Sequence, residues 1–289
     1  TAKKQLMELK KDPLVFMSSL KSGDDDETSG SEYELMSHVA DSETPEARVP
    51  RVLDLVDQQK GKCDLVVLPE LWIIGAFNSG ALEDYAQPRD GELVTALQAR
   101  AKAGNFWLHG GSFVERLADG GMANTAVLIN PAGEIVKFYR KIHLYGFDHG
   151  EAVLLNRGTE IVTQEQTPIG HAGLAICYDL RFPELFRGMN DQGVETILIT
   201  SGWPTPRINH WRVLNQARAI ENQAWVIACN EVGPNGDIML GGHSMVISPR
   251  GEIVAEAGTS EEVLYADIDL AQVAEFRNEH PFQKDRFIR

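Results

Sequence analysis

Four side chains in this 289-residue sequence are of types that could together break and make a covalent bond: the thiol of Cys177, the carboxyls of Glu70 and Glu151, and the ammonium of Lys141. A thiolate attacks electron-poor carbon, a carboxylate can take its proton, and a fixed cation can hold the negative charge that develops on an oxygen. Cys177 closes the apolar run GLAIC and is followed by YDLRFPELFR, which reads as the start of a helix with Pro183 in its first turn. A thiol at such a junction lies near free backbone N–H groups and the positive end of a helix dipole. That placement is expected to lower its pKa and to offer donors to an oxyanion. Glu70 stands just beyond the apolar residues 64–68, where desolvation would raise a carboxyl toward the range of a general base. Lys141 follows a turn and strand at 131–136 and could hold an oxyanion or pair with Glu70. Glu151 comes after a GFDHG loop that could deliver a second carboxylate. Singly, each also has an ordinary reading: a small buried thiol, a loop acid, a solvated lysine on a basic edge strand.

The elements that must position these groups show a repeat. QARA at 98–101 recurs at 216–219, Trp107 recurs as Trp225, and NPAGEIV at 130–136 recurs as SPRGEIV at 248–254. All three share one offset, 118 positions, since 98 goes to 216, 107 to 225 and 133 to 251. Each half then reads as strand, helix, strand and a hairpin turned by Pro-x-Gly. The opening strands, 64–72 and 195–203, are offset by 131 because the loops after them differ in length. Two such halves, each a sheet with helices on one face, can bury their free sheet faces against each other. The expected fold is an α/β single domain, a four-layer α-β-β-α sandwich with an internal pseudo-two-fold duplication. Residues 14–20 read as a first strand. Residues 21–50, rich in Asp, Glu, Ser and Thr, read as an acidic insertion, a solvated loop with room for one short helix, and apolar spacing predicts a helix over 51–59.

Composition narrows the function classes. Against 27 Lys and Arg stand 42 Asp and Glu, a net charge of −15 that would repel a nucleic-acid backbone or an anionic membrane surface. The apolar run at 14–17 is too short for a signal-peptide core, and no run approaches the roughly 20 residues of a membrane span. A cytoplasmic location is therefore expected. Three cysteines without a CxxC pair suggest neither a disulfide framework nor a zinc site.

Taken together, LVVLPELW (65–72), YRKIHLYGFDHGE (139–151) and LAICYDLRFPELFR (174–187) resemble the Glu, Lys and Cys signatures of the nitrilase superfamily, the carbon–nitrogen hydrolases, in the right order. The similarity continues through residues 202–233 and the hairpin 241–254 and covers roughly residues 60 to 289. CYDLRFPELFR is similar to the omega-amidase-like branch rather than to the true nitrilases. The expanded 21–50 segment departs from the family pattern. The resemblance implies that Glu70 deprotonates Cys177, that the thiolate attacks an amide, and that Lys141 and the backbone N–H of Tyr178 hold the oxyanion. It also implies that water assisted by Glu70 hydrolyses the thioester, that Glu151 orients Lys141 or the substrate, and that no metal or organic cofactor takes part. Members commonly form homodimers or higher oligomers through the helices after the Cys and through the C-terminal tail, here 276–287.

The loop 201–207 should open onto the same sandwich edge as Glu70, bringing Trp203 there. Arg181 or Arg207 could hold a substrate carboxylate, as an omega-amide of a small acid would supply, or could make a structural ion pair. N-carbamoyl cleavage and nitrile hydration are alternatives on the same fold. A papain-like thiol hydrolase would need a His partner whose flanking sequence is absent, and a silent scaffold is disfavoured by four intact polar groups.

Overall fold

The computed structural model describes residues 14–19 and 43–287. In chain order the first half runs β1 (Leu14–Ser19), α1 (Pro45–Asp57), β2 (Leu65–Val67), α2 (Glu92–Gly104), β3 (Trp107–Arg116), β4 (Met122–Ile129), β5 (Ile135–Arg140) and a short α3 (Glu151–Leu154). The second half runs β6 (Thr163–Thr167), β7 (Gly170–Ile176), α4 (Pro183–Asp191), β8 (Thr196–Ser201), α5 (Ile208–Asn222) and β9 (Trp225–Asn230). It continues with a two-stranded ribbon, β10 (Val232–Asn235) and β11 (Ile238–Gly241), and then β12 (Met245–Ile247), β13 (Ile253–Glu256), β14 (Glu262–Asp267) and α6 (Ala271–Glu279).

Two six-stranded sheets result, ordered β14-β1-β2-β3-β4-β5 and β6-β7-β8-β9-β12-β13. In each, three central parallel strands are flanked by an antiparallel edge on one side and an antiparallel hairpin on the other. The pseudo-two-fold reaches individual hydrogen bonds. Gln98 Nε2 donates to Gly133 O at 2.8 Å, and Gln216 Nε2 donates to Gly251 O at 2.9 Å. The repeat-related helices α2 and α5 both end on a left-handed residue, Asn105 at φ 54° and Gln223 at φ 50°.

Strand periodicity explains the layers. In β2, Val66 faces the helices α1 and α2, packing with Val52, Val56 and Leu97, whereas Leu65 and Val67 face the other sheet. Leu174, Ile176, Leu198 and Ile227 of the second sheet meet them there, while Ile197, Ile199 and Val226 turn outward to α4 and α5. Each such aliphatic side chain is worth roughly 1.5–3 kcal/mol when fully buried. The inter-sheet layer is therefore a large enough store to hold strained backbone at its edge. His109 on β3 lies in the same interior, fully buried, and burial pushes its imidazole down to about 4, so the ring is neutral. The four-layer α-β-β-α sandwich is as the duplication implied.

One boundary differs. The first helix begins at Pro45, not at 51, so the end of the segment read as an insertion is helical, and residues 20–42 lie outside the described residues. Pro45 takes the N1 position, where no N–H is needed. Pro50, which interrupts the helical pattern in sequence, is tolerated in the second turn. Val49 packs on the core from this earlier turn, and Arg48 donates to the carbonyls of Trp72 and Ile73, just past Glu70. Among the described residues no helix is long and apolar enough to cross a membrane, and no cluster of His, Cys, Asp and Glu could hold a metal ion.

Candidate active site

The parallel strands of both sheets deliver their C-terminal ends to one edge of the sandwich. Glu70 lies just past β2, on a tight turn in which Leu71 adopts φ 41° and donates its N–H to Ser112 Oγ at 3.0 Å. Gly111 allows this approach: at φ 65°, a Cβ there would sit 2.0 Å from the Pro69 carbonyl oxygen. Lys141 follows edge strand β5, its N–H bonded to Asn124 O on β4 at 2.9 Å. Glu151 opens α3, folded back so that its Oε2 accepts the Tyr145 N–H at 3.0 Å. Cys177 follows β7 at φ 46° and opens a short 3₁₀ turn, Cys177–Arg181. For a non-glycine residue that conformation costs on the order of 1–3 kcal/mol and persists only where the surroundings enforce it.

The four groups converge. Lys141 Nζ donates to Glu70 Oε1 at 2.7 Å and to Glu151 Oε2 at 2.6 Å, and all three residues are buried. Asn124 Nδ2 donates to the same Glu70 oxygen at 2.9 Å and to the other Glu151 oxygen at 2.8 Å, closing the cluster. The second Glu70 oxygen accepts the Gly202 N–H, at the end of β8, at 2.9 Å. The Cys177 thiol is influenced by both Glu70, which raises its pKa, and Ser201, which lowers it; Ser201 lies 131 positions after Glu70 and is hence its counterpart in the duplication.

Electrostatics set the resting protonation. Burial, reinforced by the negative charge of Glu70 and opposed by Lys141, pushes the Cys177 thiol well above its ordinary pKa. This corrects the expectation of a lowered thiol pKa: desolvation and a neighbouring carboxylate outweigh the turn dipole and the ammonium. Burial also raises the Glu70 carboxyl, with Lys141 pulling it down and Glu151 adding to the rise. Burial opposes the Lys141 charge, yet Glu151, Glu70 and Cys177 together hold its ammonium well above the usual lysine range. The site therefore holds a neutral thiol beside a raised carboxyl and a fixed cation.

These groups line a cleft of about 400 Å³. Tyr178, Arg181, Trp203 and Arg207 also line it, so the structure brings together all eight residues singled out from sequence. Arg181 stacks its guanidinium 4.8 Å from the Trp203 ring and reaches His210 Nδ1 at 3.4 Å. Arg207 lies 5.8 Å from the Tyr145 ring, with Nη2 3.4 Å from its hydroxyl. Neither makes an ion pair with a carboxylate among the described residues; their contacts are with aromatic rings, a hydroxyl and an imidazole. Trp203 is held by its ring N–H, donated to Arg207 O at 2.8 Å, and by Asn230, which accepts its backbone N–H.

Sequence reasoning missed Asn124, Ser201 and Glu231. Glu231, at the end of β9, accepts the N–H of Ala76 in the cleft wall at 3.2 Å, and burial, the largest influence, pushes its carboxyl up to about 8. Gly202 fits between this group and Ala76, because a Cβ there would lie 2.2 Å from Ala76 Cβ and 2.8 Å from Glu231 Oε2.

Residues 37–278 match the family model described as carbon-nitrogen hydrolase. The chain belongs to the carbon–nitrogen hydrolase family. The hydrolase is 40% identical over 253 residues to a 2-oxoglutaramate amidase of Paenarthrobacter nicotinovorans, covering 85% of each chain. It is 33% identical to the omega-amidase NIT2 of Danio rerio, over 82% of this chain and 87% of that one. In structure it is similar to Saccharomyces cerevisiae Nit3, of branch 10 of the nitrilase superfamily, with a TM-score of 0.81 at 29% identity over 96% and 97% of the two chains. The hydrolase is an enzyme of the amidase kind, cleaving the C–N bond of non-peptide amides.

Proposed function

We propose that this hydrolase cleaves the omega-amide of a small oxo- or dicarboxylic acid, with Cys177 as nucleophile. The observation that carries the substrate class is the pair of cleft arginines, Arg181 and Arg207, without carboxylate partners among the described residues, in a site whose other cation, Lys141, is already paired with Glu70 and Glu151. The names carried by the relatives, 2-oxoglutaramate amidase and omega-amidase, support it. Glu70 takes the thiol proton as Sγ attacks the amide carbon, and the oxyanion is held by Lys141 Nζ and the Tyr178 N–H in the first turn, where backbone donors have no helical acceptor. Collapse of the tetrahedral adduct breaks the C–N bond, Glu70 returns the proton to the leaving nitrogen, and ammonia departs. Water deprotonated by Glu70 then attacks the thioester, releasing the acid and restoring the thiol. Glu151 and Asn124 keep Lys141 and Glu70 in register throughout.

The protein's net charge of −15 opposes an anionic substrate at long range, so recognition falls to cations inside the cleft. Replacing Arg207 by Met, or Arg181 by Met, is expected to lower kcat/KM for a carboxylate-bearing omega-amide by several-fold to about a hundredfold, while an uncharged amide of similar size loses little. Ammonia release across a panel of omega-amides, N-carbamoyl amino acids and nitriles, measured for each variant, checks this. Equal losses on charged and uncharged amides would return the arginines to a supporting role, and preference for a carbamoyl compound or nitrile would replace the substrate class.

The assembly we propose is a homodimer or higher homo-oligomer. Exposed Val213 and Ile220 on α5, with Phe282 and Phe287 near the end of the chain, supply apolar surface for it. Sedimentation at micromolar concentration should give at least twice 32.0 kDa, and a single-chain mass would rule it out.

A further inference from the structure

The chemistry described above needs two backbone segments to hold still relative to each other: the turn that carries Cys177 and the strand end that carries Lys141. One carboxylate joins them. Asp179, fully buried, accepts the Ile176 N–H at 2.9 Å and the Tyr139 hydroxyl at 2.7 Å on Oδ2. Its Oδ1 accepts the His143 N–H at 3.0 Å and lies 2.7 Å from His143 Nδ1, which donates when that nitrogen carries the proton. The His143 ring is stacked on Phe182, with centroids 3.8 Å apart and planes 6° from parallel, so its orientation is fixed from the side of the Cys177 turn as well.

The placement of these partners is what matters. Ile176 and Asp179 bracket Cys177, whereas Tyr139 and His143 bracket Lys141, two residues to either side. Every bond that Asp179 makes across the fold therefore grips the Lys141 segment, and its local bond grips the peptide next to the strained Cys177. Asp179 does not line the cleft and does not contact the groups that would react.

We propose that Asp179 is a positioning residue that sets the spacing of Cys177 Sγ and Lys141 Nζ. This inference rests on the roles given above to Cys177 and Lys141. A displacement of about 1 Å between reacting groups can cost on the order of a hundredfold in rate. Asp179→Asn keeps the size but turns one acceptor oxygen into a donor, so it must face either Tyr139 and Ile176 or His143 with the wrong polarity. Tyr139→Phe removes one bond, on the Lys141 side, and leaves the ring packed.

The test measures kcat and KM per Cys177 that iodoacetamide can alkylate, together with the melting temperature, for D179N, Y139F and the double variant. The expected result is a kcat loss of about tenfold to a hundredfold for D179N and several-fold for Y139F, with KM within about threefold. The double variant is expected to be no slower than D179N alone, because both act through one link. A purely structural role would lower the melting temperature and the number of alkylatable sites but not kcat per site. That outcome, or losses that multiply in the double variant, overturns the proposal. If D179N does not fold, unchanged kcat per site in Y139F overturns it, and a several-fold loss with KM held sustains it. Cys177→Ala separates the two levels: residual activity there brings down the nucleophile assignment itself, whereas an inactive C177A beside an unimpaired D179N brings down only the role of Asp179.

Discussion

Cys177→Ala is expected to lower ammonia release from an amide substrate by a factor on the order of ten thousand or more, the scale of loss when a nucleophile is removed. The geometry leaves no substitute. The Ser201 hydroxyl is near, but it ends a different strand, β8, and does not start the turn whose N–H groups would receive the oxyanion. The same assignment predicts the order of alkylation by iodoacetamide, itself a small amide. Cys63 is partly buried, with its thiol pushed up to about 12 chiefly by burial, and Cys229 is fully buried, so Cys177 should be modified ahead of both. Because burial also raises the Cys177 thiol, that modification should depend on proton transfer to Glu70, and Glu70→Gln should slow it. Peptide mapping after partial alkylation checks the order. Turnover near the unmodified level in folded C177A would sink the mechanism.

Lys141→Ala carries the second largest expected effect, a loss of turnover on the order of a hundredfold or more, as when an oxyanion donor is removed. Two consequences follow from one change. The proposed oxyanion loses an ammonium donor, and Glu70 and Glu151, whose oxygens lie 2.7 Å and 2.6 Å from Nζ, are left as uncompensated buried acids. Removing one partner of a buried ion pair typically costs about 3–5 kcal/mol of stability, so the melting temperature should fall alongside kcat. Measuring kcat on the folded fraction separates the two, and nearly normal turnover there would make Lys141 a structural counterion.

Why these residues were legible in sequence and others were not has a physical basis. Glu70 and Cys177 follow apolar runs that only buried central strands produce, and a polar group at the end of such a run must emerge at the sheet edge. Lys141 and Glu151 were readable through the family signature around them; nothing local distinguishes a solvated edge-strand lysine from one held between two carboxylates. The repeat offset carried the architecture because caps, turns and helix-to-hairpin bonds recur with it. Asn124 had no signal, since a single amide within MANTAVLI says nothing about which face it takes. Ser201 becomes visible only as the structural counterpart of Glu70. The thiol's protonation could not be read either, because its direction depends on how burial and the Glu70 charge compare with Lys141 in three dimensions. The start of α1 was hidden by Pro50, which breaks the helical pattern without breaking the helix.

The edge strand of the first sheet comes from the far end of the chain: β14 pairs with β1 in antiparallel register from Leu14 opposite Asp267 to Ser19 opposite Glu262. In the second sheet the corresponding edge, β6, immediately precedes its neighbour β7. The two sheets are thus clasped, each built around its own parallel core but the first closed by a strand that the second half supplies. Glu70, Lys141 and Glu151 belong to one side of that clasp, and Cys177 with both cleft arginines to the other. A chain severed between β5 and β6 would yield two fragments that each hold a nearly whole sheet. Neither would possess both Glu70 and Cys177, so the cluster that the proposed hydrolysis needs belongs to their joining rather than to either piece.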